Sequence, residues 1–177
     1  MRVPRIALFG ALILASYAVA LAATDPMQKL LPASGFQGWK TVADSYVYGS
    51  GEGLTEIYDG GYKEYLDAGV VEAAKQTYSK GKTFADVAVH KMKSGANAKA
   101  FYEKQVKLAG KQAKALPAPW TGFTWVSGGS AYGYMTCKDY YLAATLTSKD
   151  PAGAAALMQE AARKAGLRPS VPDKGRK

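Results

Sequence analysis

One histidine, His90, and one cysteine, Cys137, are the residues of this 177-residue chain best suited to making and breaking bonds. A Ser-His-Asp or Cys-His site would have to use His90 as its base, with a serine or Cys137 as nucleophile. His90 stands in the alternating run FADVAVHKM, on the face opposite Val87 and Val89, which reads as a partly exposed strand position. No G-x-S-x-G elbow accompanies it. Cys137 is followed by Lys138, but adjacent strand residues point to opposite faces, so that cation is badly placed to activate the thiol. A small buried apolar role fits Cys137 better. One His and one Cys cannot close a structural zinc site, and no acidic cluster has calcium-loop spacing, so neither a metal nor a cofactor is expected. The acids Glu56, Asp59, Glu64 and Asp67 crowd one predicted helix. Glycoside hydrolysis needs carboxyls opposed across a cleft, whereas these share a solvated face with Lys63.

Binding chemistry is better represented than catalysis. Tyr132, Tyr134 and Thr136 alternate, so both tyrosines share a sheet face, and Tyr141 on the following strand can join them. With Trp125 or Trp120 nearby, they offer an aromatic platform for a sugar or another flat, stacking ligand; the competing reading is a packed layer between sheet and helix. From Lys91 to Lys114 the chain carries Lys91, Lys93, Lys99, Lys104, Lys107, Lys111 and Lys114 against a single acid, Glu103. Lys99, Lys104, Lys107 and Lys111 fall on the outer side of a predicted helix, where they form a soluble basic face or meet an anionic envelope component. Lysine without arginine and without interleaved aromatics does not suit nucleic-acid readout. GSGEG (49–53) and SGGS (127–130) match no phosphate-loop spacing and read as turns.

The elements that must position these residues follow from periodicity. Val42 to Tyr48 predicts a first strand, and Leu54 to Gly69, LTEIYDGGYKEYLDAG, an amphipathic helix around which the domain is assembled. Gly60 and Gly61 interrupt that helix at a cost of about 1 kcal/mol each. Close packing on Gly61 accounts for the pair; a ligand against bare backbone, or a break into two short pieces, are the other readings. Tyr65 belongs to the same apolar face. Val70 to Ser79 predicts a strand, its alanines leaving helix as the alternative; Phe84 to Met92 predicts a further strand, and Ser94 caps a helix over 95–109. LPAPWTG is a proline-broken connection. Phe123–Ser127, Ala131–Cys137 and Tyr140–Thr147 predict strands joined at Gly128-Gly129 and Lys138-Asp139, and Asp150-Pro151 opens a last helix that stops at Gly166.

The amino terminus names a compartment. Arg2 and Arg5 precede an uncharged run from Ile6 to Leu21, and Ala20-Leu21-Ala22 is a small-residue cleavage signal. That is the layout of a secretory signal peptide cut after Ala22, and the apolar run is short for a spanning helix, so no membrane span is expected after cleavage. An uncleaved anchor is the alternative. Residues 23–40 then form a lead-in pinned by Leu30, Leu31, Phe36 and Trp39, residues 41–166 one domain, and residues 167–177 a basic, disordered tail. A lone cysteine makes no internal disulfide, so the domain stands on packing.

LTEIYDGGYKEYLDAG, together with LLPASGFQGWK, DVAVHKMKSGANAKAFY and KDYYLAATLT, resembles the signature of an uncharacterised family of exported bacterial proteins, a domain of unknown function with a Gly-Gly-x-x-x-Tyr-Leu helix. The resemblance implies an exported α+β domain and no reaction. The residues themselves point to a single α+β domain, an antiparallel sheet packed by about three helices. The expected function is non-catalytic: a periplasmic or secreted binding or accessory protein. The alternatives are a small hydrolase using His90 and an envelope-surface protein acting through Lys91–Lys114.

Overall fold

The computed structural model describes residues 25–167. The signal segment 1–22 and almost all of the tail expectation lie outside the described residues. The lead-in forms a 3-10 turn at Gln28–Leu30 and then β1 (Lys40–Thr41) and β2 (Val47–Ser50). A 3-10 segment, Gly51–Glu56, leads to the short α1 (Tyr62–Asp67). The long hairpin β3 (Val70–Lys80) and β4 (Thr83–Met92) precedes α2 (Gly95–Ala109). β5 (Lys114–Ala115), β6 (Thr121–Ser127), β7 (Ser130–Cys137), β8 (Tyr140–Leu146) and α3 (Pro151–Lys164) complete the chain.

All eight strands join one antiparallel sheet in the order β1-β3-β4-β8-β7-β6-β5, with β2 beside β1 along the outer edge of β3. The predicted α+β architecture is therefore observed. Two-residue loops set the hairpins: Gly128-Gly129 joins β6 to β7 with both residues at positive φ, and Lys138-Asp139 joins β7 to β8 with Lys138 at φ 52°. The caps also stand where the sequence places them. Ser94 Oγ accepts from Asn97 N at 3.2 Å, and Asp150 Oδ1 accepts from Gly153 N at 2.9 Å ahead of Pro151.

Each face of the sheet has its own cover. Ala85, Val87 and Val89 of β4, with Ala131 and Met135 of β7, pack against Ala154, Leu157, Met158 and Ala161 of α3. Met27, Leu30, Leu31 and Trp39 close the same core, so the lead-in is an integral layer of the domain and not merely a tethered extension. The opposite face is covered at one end by α2, α1 and the 3-10 segment, through Leu54, Ile57, Ala98, Phe101 and Tyr141.

Two expectations change. The single first strand Val42–Tyr48 is instead the two short strands β1 and β2, parted by Asp44 at φ 54°. The continuous helix Leu54–Gly69 is broken at the glycine pair. Gly60 adopts φ 66°, Gly61 precedes α1, and both are exposed, so the buried contact expected on Gly61 does not exist. The break has a packing cause. Tyr58 and Tyr65 stack face to face with ring centroids 3.7 Å apart, whereas residues seven apart on a straight helix rise about 10 Å. The chain must fold back on itself between them, and Gly60 supplies the left-handed turn.

Candidate functional site

The open end of the α2-bearing face is a trough whose shape follows from strand register. Three rows of side chains cross β3, β4, β8 and β7 on that face. The inner row is Ala73, His90, Tyr141 and Thr136; the middle row is Lys75, Ala88, Ala143 and Tyr134; the outer row is Thr77, Asp86, Thr145 and Tyr132. Ala88 and Ala143 are direct partners on adjacent strands, and their small side chains leave space between the longer Lys75 and Tyr134. That space is a cavity of about 230 Å³, with Tyr58 and Tyr65 at its inner end, Asp86 and Thr145 at its outer end, and Gln105 of α2 beside it. A wider cleft of about 590 Å³ separates α1 from α2, but its facing charges already answer one another: Lys104 Nζ donates to Glu64 Oε1 at 2.8 Å.

His90 anchors the inner end. It is 1% exposed, not the half-open strand residue expected, because Tyr58 and Tyr65 roof the face that alternation alone would leave to solvent. Its Nδ1–H donates to the Tyr141 carbonyl oxygen at 2.9 Å, which leaves Nε2 to accept the Tyr58 hydroxyl. Burial lowers the imidazole pKa from 6.5 to about 4, so the ring is neutral at neutral pH. Burial likewise raises the Tyr58 and Tyr141 phenols well above 10, pushes Tyr65 up to about 12, and raises Tyr134. The inner wall is thus a set of neutral aromatic groups, joined edge-on through Phe101 to Tyr65 and Tyr141.

Around His90, the described residues place no nucleophile beside the imidazole. Both ring nitrogens of His90 are engaged, by a phenol and a backbone carbonyl. Cys137 packs with Met135 in the α3-side core, on the sheet face opposite His90, and burial pushes its thiol up from the ordinary value. Among the described residues no group of three or more His, Cys, Asp and Glu side chains gathers to hold a metal.

Of the four predicted platform residues, Tyr134 and Tyr141 converge on the trough, their rings 6.0 Å apart and within 16° of parallel. Tyr132 and Trp125 pair with each other at 5.2 Å and lie outside its lining. Tyr65 lines the trough as well as bracing Tyr58. Sequence reasoning missed Tyr58, Lys75, Asp86 and the two alanines. The alternations Asp86-x-Ala88-x-His90 and Tyr141-x-Ala143-x-Thr145 carry a signal, a small residue between larger polar and aromatic ones, but pairing β4 with β8 is what makes it a cavity. The predicted anion-binding lysines are exposed on α2 and just beyond it; Lys99 pairs with Glu103 at 3.8 Å and Lys104 with Glu64, while Lys107 and Lys111 enter no ion pair among the described residues.

No protein-family model and no curated protein matches the chain. Among solved structures, the extracellular domain of PknH from Mycobacterium tuberculosis is similar, with a TM-score of 0.51 and 12% identity over 78% of this chain and 92% of that one. At that identity the likeness is one of fold. No helix among the described residues is long and apolar enough to cross a membrane. The chain shares the α+β fold of that extracellular domain, and its own sheet carries a small aromatic trough on the α2-bearing face.

Proposed function

We propose that the chain is an exported, non-catalytic binding or accessory protein that holds a small ligand in the trough over Ala88 and Ala143. One observation carries this reading: two paired alanines floor a space of about 230 Å³ whose walls are rings and a few convergent polar groups. Small-molecule sites have that composition, and this one is smaller than the roughly 300–1,000 Å³ of drug-sized sites. The secretory layout of residues 1–22, and the likeness to a domain of PknH that is extracellular, support export.

The experiment is a nuclear magnetic resonance screen of the isotope-labelled protein against sugars and flat aromatic compounds. Binders are expected to shift the amides of Ala88, Ala143 and Thr145 saturably. Ala143→Leu fills the floor and is expected to abolish those shifts while the far-ultraviolet circular dichroism is unchanged. Ligands that bind equally well to the Ala143→Leu protein would sink the proposal.

A second reading has its own observation. Leu108 on α2 is 66% exposed, with Lys104 four residues before it and Lys111 three after, and Lys107 adjacent. An apolar side chain ringed by lysines suits an anionic membrane surface, each lysine contributing about 1 kcal/mol near it. Co-sedimentation with phosphatidylglycerol vesicles at low salt is expected, and its loss in the Lys107→Glu/Lys111→Glu protein. Equal sedimentation with neutral phosphatidylcholine vesicles would remove the electrostatic account.

A further inference from the structure

Resting on the trough as a ligand site, we infer that its ligand is a small zwitterion with a flat body, the chemistry of a free aromatic amino acid. The charges at the trough carry the inference. Lys75 and Asp86 are its only lining residues with a formal charge at neutral pH, since His90 is neutral and the tyrosines keep their protons. They occupy diagonal positions on adjacent strands, Lys75 opposite Ala88 and Asp86 two residues away from it. A lysine side chain is long enough to reach a carboxylate at such a diagonal position. These two do not pair: none of the four ion pairs among the described residues includes either. Asp86 is nevertheless held in place, because Thr77 Oγ1 donates to its Oδ1 at 2.7 Å and leaves the second oxygen to accept.

A cation and an anion kept apart on one rim match a ligand that also carries one of each. An anionic ligand would satisfy Lys75 and be repelled by Asp86, and a cationic ligand the reverse. A neutral sugar would answer neither charge. The ligand's ammonium belongs at Asp86 in the outer row, its carboxylate at Lys75 beside the floor, and its body over Ala88 and Ala143 against the Tyr134 ring. The space of about 230 Å³ suits a single small molecule of this kind rather than a peptide. The ring wall favours an aromatic body, through stacking against Tyr134, which the buried Tyr141 backs.

The test titrates the labelled full-length protein with four matched probes: L-tyrosine, tyramine (ammonium alone), 3-(4-hydroxyphenyl)propionate (carboxylate alone) and p-cresol (ring alone). L-Tyrosine is expected to bind about tenfold more tightly than either singly charged probe, as one charge-assisted hydrogen bond implies. Lys75→Gln is expected to bring L-tyrosine down to the level of tyramine, and Asp86→Asn to the level of the propionate. Equal binding of all four probes, abolished by Ala143→Leu, overturns the zwitterion and leaves the trough standing as a site. Tighter binding of a neutral sugar than of L-tyrosine does the same. Failure of every probe and every screened compound to shift the Ala88, Ala143 and Thr145 amides overturns the site itself.

Discussion

His90 shows how burial converts a titratable residue into a structural one. Its hydrogen bonds suit the neutral ring with a proton on Nδ1; protonating Nε2 would reverse the bond with Tyr58 and place a charge in a dry site, and it is the burial of that charge that disfavours it. The folded pKa of about 4 lies below the unfolded value of 6.5, so between those values the unfolded chain binds more protons. Stability is therefore complete above the unfolded pKa and falls as the pH drops from about 6.5 towards 4. The full effect is about 3 kcal/mol, because each tenfold loss of proton affinity on folding is worth about 1.4 kcal/mol. Chemical denaturation at pH 7.5 and pH 4.5 is expected to show most of that loss, and a His90→Gln protein a much flatter profile. A wild-type stability that does not change across this window would contradict the buried neutral ring. Tyr58→Phe is expected to cost about 1–3 kcal/mol at neutral pH, because Nε2 is left without a partner in a dry site; an unchanged melting temperature would show that the pair contributes nothing.

At the scale of elements, the glycines divide into those that turn the chain and those that admit a neighbour. Gly60 turns it: nothing lies within 4 Å of the position a Cβ would take, but its φ of 66° is left-handed. Gly60→Ala is expected to cost about 1–2 kcal/mol. Gly61, with φ in the ordinary range and only the Asp59 carbonyl oxygen, at 4.0 Å, near an added Cβ, is expected to accept alanine without loss. The close approach anticipated at Gly61 occurs at Gly133 in β7, where an added Cβ would sit 2.5 Å from Met158 Cε and 3.3 Å from the Ala154 Cβ. Gly133→Val is expected to destabilise by about 1–3 kcal/mol through overpacking against α3. Thermal melts of these three variants rank the positions, and an equal loss at Gly61 and Gly133 would refute the division. The order at 60 and 61 could not be read from the helical pattern, because Leu54, Ile57, Tyr58 and Tyr65 keep helical spacing even though the chain folds back between Tyr58 and Tyr65.

Across the whole molecule, the sheet is shared by two cores, and the amino-terminal lead-in belongs to one of them. Met27, Leu30 and Leu31 are buried beneath α3 and the sheet, and each such side chain contributes about 1.5–3 kcal/mol by burial. A chain starting at Lys40 is expected to lose several kcal/mol and to melt far lower than one starting at Ala23; equal melting of the two would show the lead-in to be dispensable. The α+β class, both caps and the two tight hairpins near the carboxyl terminus were legible in the sequence by itself, because each depends on neighbours a few residues away and on a repeat of two or of 3.6. The burial of His90, the fold-back at Gly60 and the trough were not. They depend on which strand lies beside which, on a 3-10 segment and α1 closing over a face that alternation marks as open, and on Ala88 meeting Ala143 across 55 residues of chain. Local periodicity records which face a side chain takes, and only long-range pairing decides what stands opposite it.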